Sequence, residues 1–598
     1  MATGRQTLTQ RTFPVNINVT LPLIVALPLF FLAYRYYARY IARVFGEDDK
    51  NPTPAVAIND QKDYVPTKNL VLFGHHFAAI AGAGPIIGPT VGLIFGFIPC
   101  LLWLILGAIF IGAVHDYSAL FASMREEGKS IARVAEKSLG KAGFIILISF
   151  TISMILLVTS AFLGLAAVAL TSLVPIKQLG LEPSQIFFKT IMVDTTRMAT
   201  IGAIASTSVI VITLFSPLIG YLLYKKGISS YYAALLAIFA CIASIQIGIS
   251  YPLIFGHTFW MVSLSLYVFI AAGIPVWIIL QPRDFTNSFI LFGGIIMLVI
   301  GGLGAGIKGV TFTAPAFNLA EGTSRLGPVW PFLFIIIACG AISGFHALVA
   351  GGTSSKQICK ESAARRIGFG SMLLEALFSI GVVIAVGCGL KFSHYIQLVF
   401  PSDPAIKSNP VLAFSLGVGG LLEKGLGIPS SYGTVFGILL IAGFLATTLD
   451  AAVRLNRYLF EELWAAIFKT VPRLLKSYFF NSFLCVSIMF TLGYSNAFWA
   501  IWPIFGAGNQ LLAALTLLGI AVWLFRKGKK SLFLILPAIF MMGTSLFALT
   551  YLLFRNYIPK HNWTLTIADL ILIGLATGVI ILSIKSFFKE RSSTLLNT

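Results

Sequence analysis

About 15 apolar stretches, each long enough to cross a hydrocarbon core of about 30 Å as helix, alternate with short hydrophilic breaks along this chain. They lie near 20–44, 70–97, 99–123, 144–174, 203–223, 229–249, 252–280, 286–307, 331–352, 370–398, 432–453, 478–500, 506–525, 531–555 and 563–585. Inside a bilayer a segment must satisfy its own backbone polar groups, so these spans are expected to be helices. The composition agrees: 57% hydrophobic, mean hydropathy +0.90 and 11% charged residues, against about 25% charged in soluble domains. The expected fold class is therefore an all-α polytopic membrane protein.

A net charge of +20 raises the question of nucleic acid, but the distribution of the basic residues argues against it. They fall in the breaks: Arg35/Arg39/Arg43, Arg125 to Lys141, Lys225/Lys226, Arg283, Lys356 to Arg366, Arg454 to Lys476, Arg526 to Lys530 and Lys585 to Arg591. If each is cytoplasmic, the span parity closes, with the N-terminus outside and the C-terminus inside. The apolar segment 410–423 is then re-entrant or peripheral. Residues 1–20 show no cationic region followed by a short apolar core, so no removable signal peptide is expected. The six cysteines show no CxxC spacing, which makes disulfides or a zinc site improbable.

Residues 73–89, FGHHFAAIAGAGPIIGP, interrupt a span with Gly82, Gly84, Pro85, Gly88 and Pro89. Pro85 and Pro89 lack an N–H and crowd the carbonyl four residues back, so Ala81 and Pro85 lose helical partners for their carbonyls. Irregular backbone at membrane depth is tolerated where it is packed in protein or lines a cavity, and broken helices hold substrates and ions in secondary transporters. Such transporters often contain two five-helix repeats of opposite topology, each led by a broken helix. Residues 70–249 and 252–453 supply five spans each. Their leading segments share text: Phe73-Gly74-His75-x-Phe77 with Phe255-Gly256-His257-x-Phe259, and Ala83-Gly84-Pro85 with Ala272-Gly273-Ile274-Pro275. The expected organisation is an N-terminal helix and cytoplasmic connector (1–69), the two repeats, and C-terminal helices (454–598).

Ionisable residues within spans are functional candidates because an unpaired charge there is costly. His75 and His76, beside the break, are candidates for binding a carboxylate or relaying a proton. Gly82, Gly84, Pro85, Gly273 and Pro275 would shape the substrate site. In 338–357, ACGAISGFHALVAGGTSSKQ, Ser343 and His346 share a helix face. The Ser343 hydroxyl with carbonyls freed near Ala81 could ligate sodium, and Thr447 and Thr448 are alternative cation ligands. Glu375, a carboxylate in an apolar helix, suggests proton coupling. Asp116, and Asp450 paired at i, i+4 with Arg454, could form a cytoplasmic gate. Asn509 and Gln510, in WPIFGAGNQ, read as helix caps. There is no GxGxxG in a strand-to-helix setting, no P-loop and no HExxH, so neither an enzyme nor a resident metal or cofactor is expected; the coupling ion would be H+ or Na+.

Five motifs, GHHFAAIAGAGPIIGP, IPVWIILQPRDF, PFLFIIIACGAISGFHALVAGGTSSKQ, LDAAVRLNRY and WPIFGAGNQLLAAL, occur in this order. Together they resemble the carbon starvation protein A (CstA) family over about residues 32–525. The resemblance implies a bacterial inner-membrane transporter related to the amino acid–polyamine–organocation superfamily, linked to pyruvate uptake and peptide utilisation during carbon starvation. The chain departs from longer members in lacking an additional N-terminal helix and in a short region between 398 and 432. The expected function is import of a small carboxylate, pyruvate the best single guess, by proton or sodium symport. Peptide uptake is the runner-up, and a nutrient sensor in the membrane is the competing class. The oligomeric state stays open.

Overall fold

The computed structural model describes residues 16–596 apart from 61–63, 183, 186, 276, 404–405 and 496–497. The question of a leader segment falls largely on residues 1–15, outside the described residues. In chain order the main helices are α1 (Leu21–Phe45), α2 (Asn69–Ile80), α3 (Gly84–Phe95), α4 (Phe97–Arg125), α5 (Ile131–Leu170), α6 (Ile201–Lys225), α7 (Ser230–Ser250), α8 (His257–Ala271) and α9 (Leu280–Ile307). There follow α10 (Val329–Ile336), α11 (Ala338–Ala341), α12 (Phe345–Gly352), α13 (Arg365–Gly389), α14 (Pro410–Leu426), α15 (Ser430–Ile467), α16 (Tyr478–Ser495), α17 (Trp499–Arg526), α18 (Leu532–Tyr557) and α19 (Trp563–Ser586).

Among the described residues 12 helices are long and apolar enough to cross a membrane, or 13 with the bent pair α2–α3. The two remaining expected spans take other forms: a shorter apolar helix, α8, and the interrupted run α10–α12. Among the described residues a small antiparallel sheet lies between α5 and α6. Its strands β1 (Val174–Pro175), β2 (Thr190–Val193) and β3 (Thr196–Ala199) lie in the order β1-β3-β2.

The prolines break the first helix as their chemistry requires. Helix α2 ends at Ala81 (φ −73°, ψ 64°), α3 restarts at Gly84 with Pro85 in its first turn, and the two halves are bent by 44°. The Pro85 carbonyl, deprived of a helical N–H, accepts instead from Ser379 Oγ on α13 at 3.1 Å.

The second break lies at residues 342–344, where Ile342 is extended (φ −164°, ψ 137°) between α11 and α12. Sequence similarity had placed it at 272–275. Gly273 and Pro275 belong instead to the corner joining α8 to α9, and Phe255-Gly256-His257 to the start of α8. The shared text reflects a Gly/Ala/Phe-rich composition, because a break needs backbone partners inside the bundle and a surface corner does not.

The breaks meet face to face through glycine. A Cβ on Gly84 would lie 2.3 Å from Cys339 Cβ, and one on Gly88 would lie 2.6 Å from the Ile336 carbonyl oxygen. Such backbone proximity is how helices associate tightly where the hydrophobic effect is weak. After each break comes one long helix (α4, α13); beyond these lie α5, kinked at Gly140 with 32 residues in its apolar stretch Leu139–Leu170, and, after α14, α15 with 38, and the two pack against each other. Segment 410–423 is not peripheral: α14 is a largely buried helix held between α9, α13 and α15.

The connector after α1 is clamped to the loop between α12 and α13. Arg125 pairs with Glu361 at 2.6 Å and Arg365 with Glu47 at 2.9 Å. The Ser362 N–H and hydroxyl donate to Asp49 and hold its carboxyl below the usual aspartate range.

Candidate functional site between the broken helices

Asn509 on α17 supplies what the second break lacks. Its Oδ1 accepts from the Phe345 N–H at 3.0 Å, its carbonyl accepts from the Gly344 N–H at 3.1 Å, and its Nδ2 donates to Ser343 Oγ at 3.0 Å. The residue is a brace within a helix rather than a cap. Beside it a small cavity of about 10 Å³ is lined by Gly82, Gly84, Ser343, Phe162, Thr448 and Asn509, a volume that holds about one water. Ser343 and Thr448, two of the residues the sequence offered as cation ligands, thus lie beside Gly82 and Gly84 of the first break. Thr448 Oγ1 is buried without a hydrogen-bond partner. Thr447 turns away and accepts from Asn287 Nδ2 at 2.8 Å.

A second cavity, of about 720 Å³, runs below the breaks. Its mouth is marked by Lys129 and Arg133, whose side chains are 45% and 33% exposed; its inner end is His75, at 7%. Lys225, Lys356 and Arg454 also line it, with Glu461 and Glu462 toward the mouth. It opens among the basic loops. The wall near His75 is made of Ala79 on α2, Ala347 on α12 and Ala451 on α15, so both broken helices contribute to it.

Behind His75 lies a buried network. His75 Nδ1 is 3.4 Å from Asp284 Oδ2 on α9, and the adjacent Arg283 lies 3.6 Å from Asp450 on α15. Arg283 Nη2 donates to the Ala446 carbonyl at 2.9 Å, and Tyr267 donates to Asp450 at 3.1 Å while accepting from Arg283. Two sequence expectations are corrected here. Arg283 is buried in a helix and is not a loop residue. Asp450 pairs with Arg283, whereas Arg454 donates to the Ala271 and Ile274 carbonyls, the latter at 2.7 Å, closing the corner that holds Gly273 and Pro275. Those carbonyls are exposed by the end of α8, and a guanidinium with several donors satisfies both.

A separate line of titratable groups joins α4, α12 and α13. His115 Nδ1 is 2.8 Å from Asp116 Oδ1, Asp116 Oδ2 is 2.7 Å from His346 Nδ1, and His346 Nε2 is 3.3 Å from Glu375 Oε2. All four side chains are at most 1% exposed. Asp116 is therefore held between two imidazoles. His76 Nδ1 is 2.7 Å from Ser354 Oγ, just past the C-terminal end of α12. A lone charge at the bilayer centre costs at least about 2.5 kcal/mol, and each acid of these two networks has a cationic or titratable neighbour.

Sequence reasoning missed His115, Tyr267, Asp284, Asn287 and the bracing role of Asn509. His115 and Asp284 were visible beside named residues, in GAVHDYSALF and QPRDF, but Tyr267, Asn287 and Asn509 act only through contacts distant in sequence.

Broken helices enclosing a cavity inside a multi-pass helical bundle, with buried ion pairs behind its wall, define a membrane transporter. More particularly, the chain belongs to the carbon starvation protein CstA family, whose family model matches residues 18–407 and 391–548. The peptide transporter CstA of Bacillus subtilis is 34% identical over 84% of this chain and 84% of its own length. The pyruvate/proton symporter BtsT of Escherichia coli is 30% identical over 90% of this chain and 82% of its own. Among solved structures, a manganese transporter from Eremococcus coleocola aligns with 90% of this chain and 99% of its own at 13% identity, with a TM-score of 0.43.

Proposed function

We propose that this protein imports a small carboxylate, pyruvate being the best single guess, by ion symport across a bacterial cytoplasmic membrane, with its N-terminus outside and C-terminus inside. The observation that carries the reading is the 720 Å³ cavity that opens among basic loops and ends on His75 below the first break. An anion entering it meets Lys225, Arg454 and His75, whose ring when protonated attracts a carboxylate. The face carrying the mouth is cytoplasmic by the positive-inside rule, so the conformation is the one that releases substrate inward. The relation to a pyruvate/proton symporter supports both substrate class and coupling.

Peptide uptake is the second reading, favoured by the size of the cavity and by Glu461 and Glu462 near its mouth, which could receive an amino group. Purified protein in liposomes, offered labelled pyruvate or a labelled dipeptide under an imposed proton or sodium gradient, decides between them. Pyruvate accumulation that falls in His75→Ala is the expected result. Accumulation of the dipeptide alone transfers the function to the runner-up, and accumulation of neither solute under any gradient excludes the transport reading.

A further inference from the structure

We propose that Glu375, with His346 and Asp116, is the carrier of the coupling proton, at a site separate from the one that holds substrate. The inference rests on the symport reading and selects the proton over sodium. None of His115, Asp116, His346 and Glu375 lines either cavity, so a substrate in the large cavity does not touch them. They nevertheless sit on the elements that form it: His346 is on α12, whose Ala347, Leu348 and Gly351 face the large cavity, while Ser343 and Phe345 at its start face the small one.

Geometry favours a proton. The groups are strung end to end, with an imidazole between the two carboxylates, so that the oxygens of Asp116 and Glu375 do not converge on one point. A hard cation needs several oxygens converging on one point. Neither Glu375 oxygen has a hydrogen-bond donor in good geometry, and His346 Nε2 lies 3.3 Å from Glu375 Oε2, with the Ile80 backbone at the end of the first half-helix also beside the His346 ring. A carboxylate left without donors in a dry interior is costly. One proton on this pair resolves it in either of two ways: on Glu375, whose O–H then donates to His346 Nε2, or on His346, whose N–H then donates to Glu375. Binding or loss of that proton changes the buried charge by one and the seat of α12 beside its break. Facing the pair from neighbouring elements are His115 and Asp116 on α4, Cys339 on α11 and, on α2, His76.

The test uses the full chain in liposomes with labelled pyruvate, a pH gradient and a trapped pH indicator. In Glu375→Gln, exchange of internal for external pyruvate continues, because the substrate wall is untouched. Gradient-driven accumulation falls by about tenfold or more, in the usual range of coupling between two sites, and proton entry no longer accompanies uptake. Glu375→Asp restores part of both. A Glu375→Gln protein that still accumulates pyruvate with proton entry overturns the proposal. Absence of both pyruvate exchange and pyruvate accumulation in the wild type removes the pyruvate reading, and the same arms are then run with the labelled dipeptide; absence of both there removes the transport reading, and this inference with it. If Glu375→Gln does not fold, infrared spectra of the wild type and His346→Gln decide. A carboxylic-acid band that titrates with pH and moves in His346→Gln supports the carrier; a band that fails either test overturns it.

Discussion

Gly84 shows how much one hydrogen atom decides. Its missing side chain lets α3 lie against Cys339, and a methyl group there would sit 2.3 Å from Cys339 Cβ and 2.4 Å from Sγ. Because the first of these atoms is fixed to backbone, no rotamer change relieves the clash. Gly84→Ala is expected to cost about 1–3 kcal/mol by overpacking, seen as a lower unfolding temperature in detergent, and Cys339→Gly in the same chain to recover most of it. An unrescued double variant would show that the cost lies elsewhere. Sequence made this residue suspicious through Pro85 and Pro89 alone. It could not reveal Asn509 as a brace, since an amide that caps a helix and one that spans to a neighbouring break look identical in a linear chain.

Helix α9 illustrates the limits of reading elements from hydropathy. Its buried length begins at Leu280, yet Arg283 and Asp284 pull any apolar window toward a later start, so the sequence reading assigned Arg283 to a loop and passed over Asp284. Within the bundle these charges are tolerable because Asp450, Tyr267 and the Ala446 carbonyl receive the guanidinium, which joins α9 to α8 and α15. Removing one partner of a buried ion pair strands the other, at about 3–5 kcal/mol. Arg283→Met is therefore expected to destabilise the protein by that order in denaturant or thermal unfolding. Adding Asp450→Asn should return part of the loss; a double variant no more stable than the single one would mean that the pair is not what holds these helices. The break at 342–344 escaped the sequence for a related reason: with no proline in it, only the partners offered by α17 make it stable.

At the scale of the whole molecule the consequence is a cavity that opens among the basic loops. Ala79 lies at its inner end, so in a chain whose native cysteines are replaced, Ala79→Cys should react with a membrane-impermeant maleimide from the face bearing Lys129 and Arg133, and pyruvate should slow the reaction. Labelling from the opposite face instead would reverse the assignment of the open side. The sequence by itself determined that this chain is a bundle of membrane helices, where nearly every span lies, and that one of them must break at Pro85, because hydropathy and a missing N–H act locally. Only the tertiary structure decided where the second break falls, that Asp450 takes Arg283 rather than Arg454, and that Asp116, His346 and Glu375 form one line. Those outcomes depend on which helix faces which, and in a bilayer the common apolar surface of every span leaves that choice to glycine contacts and to the few polar groups that must find each other.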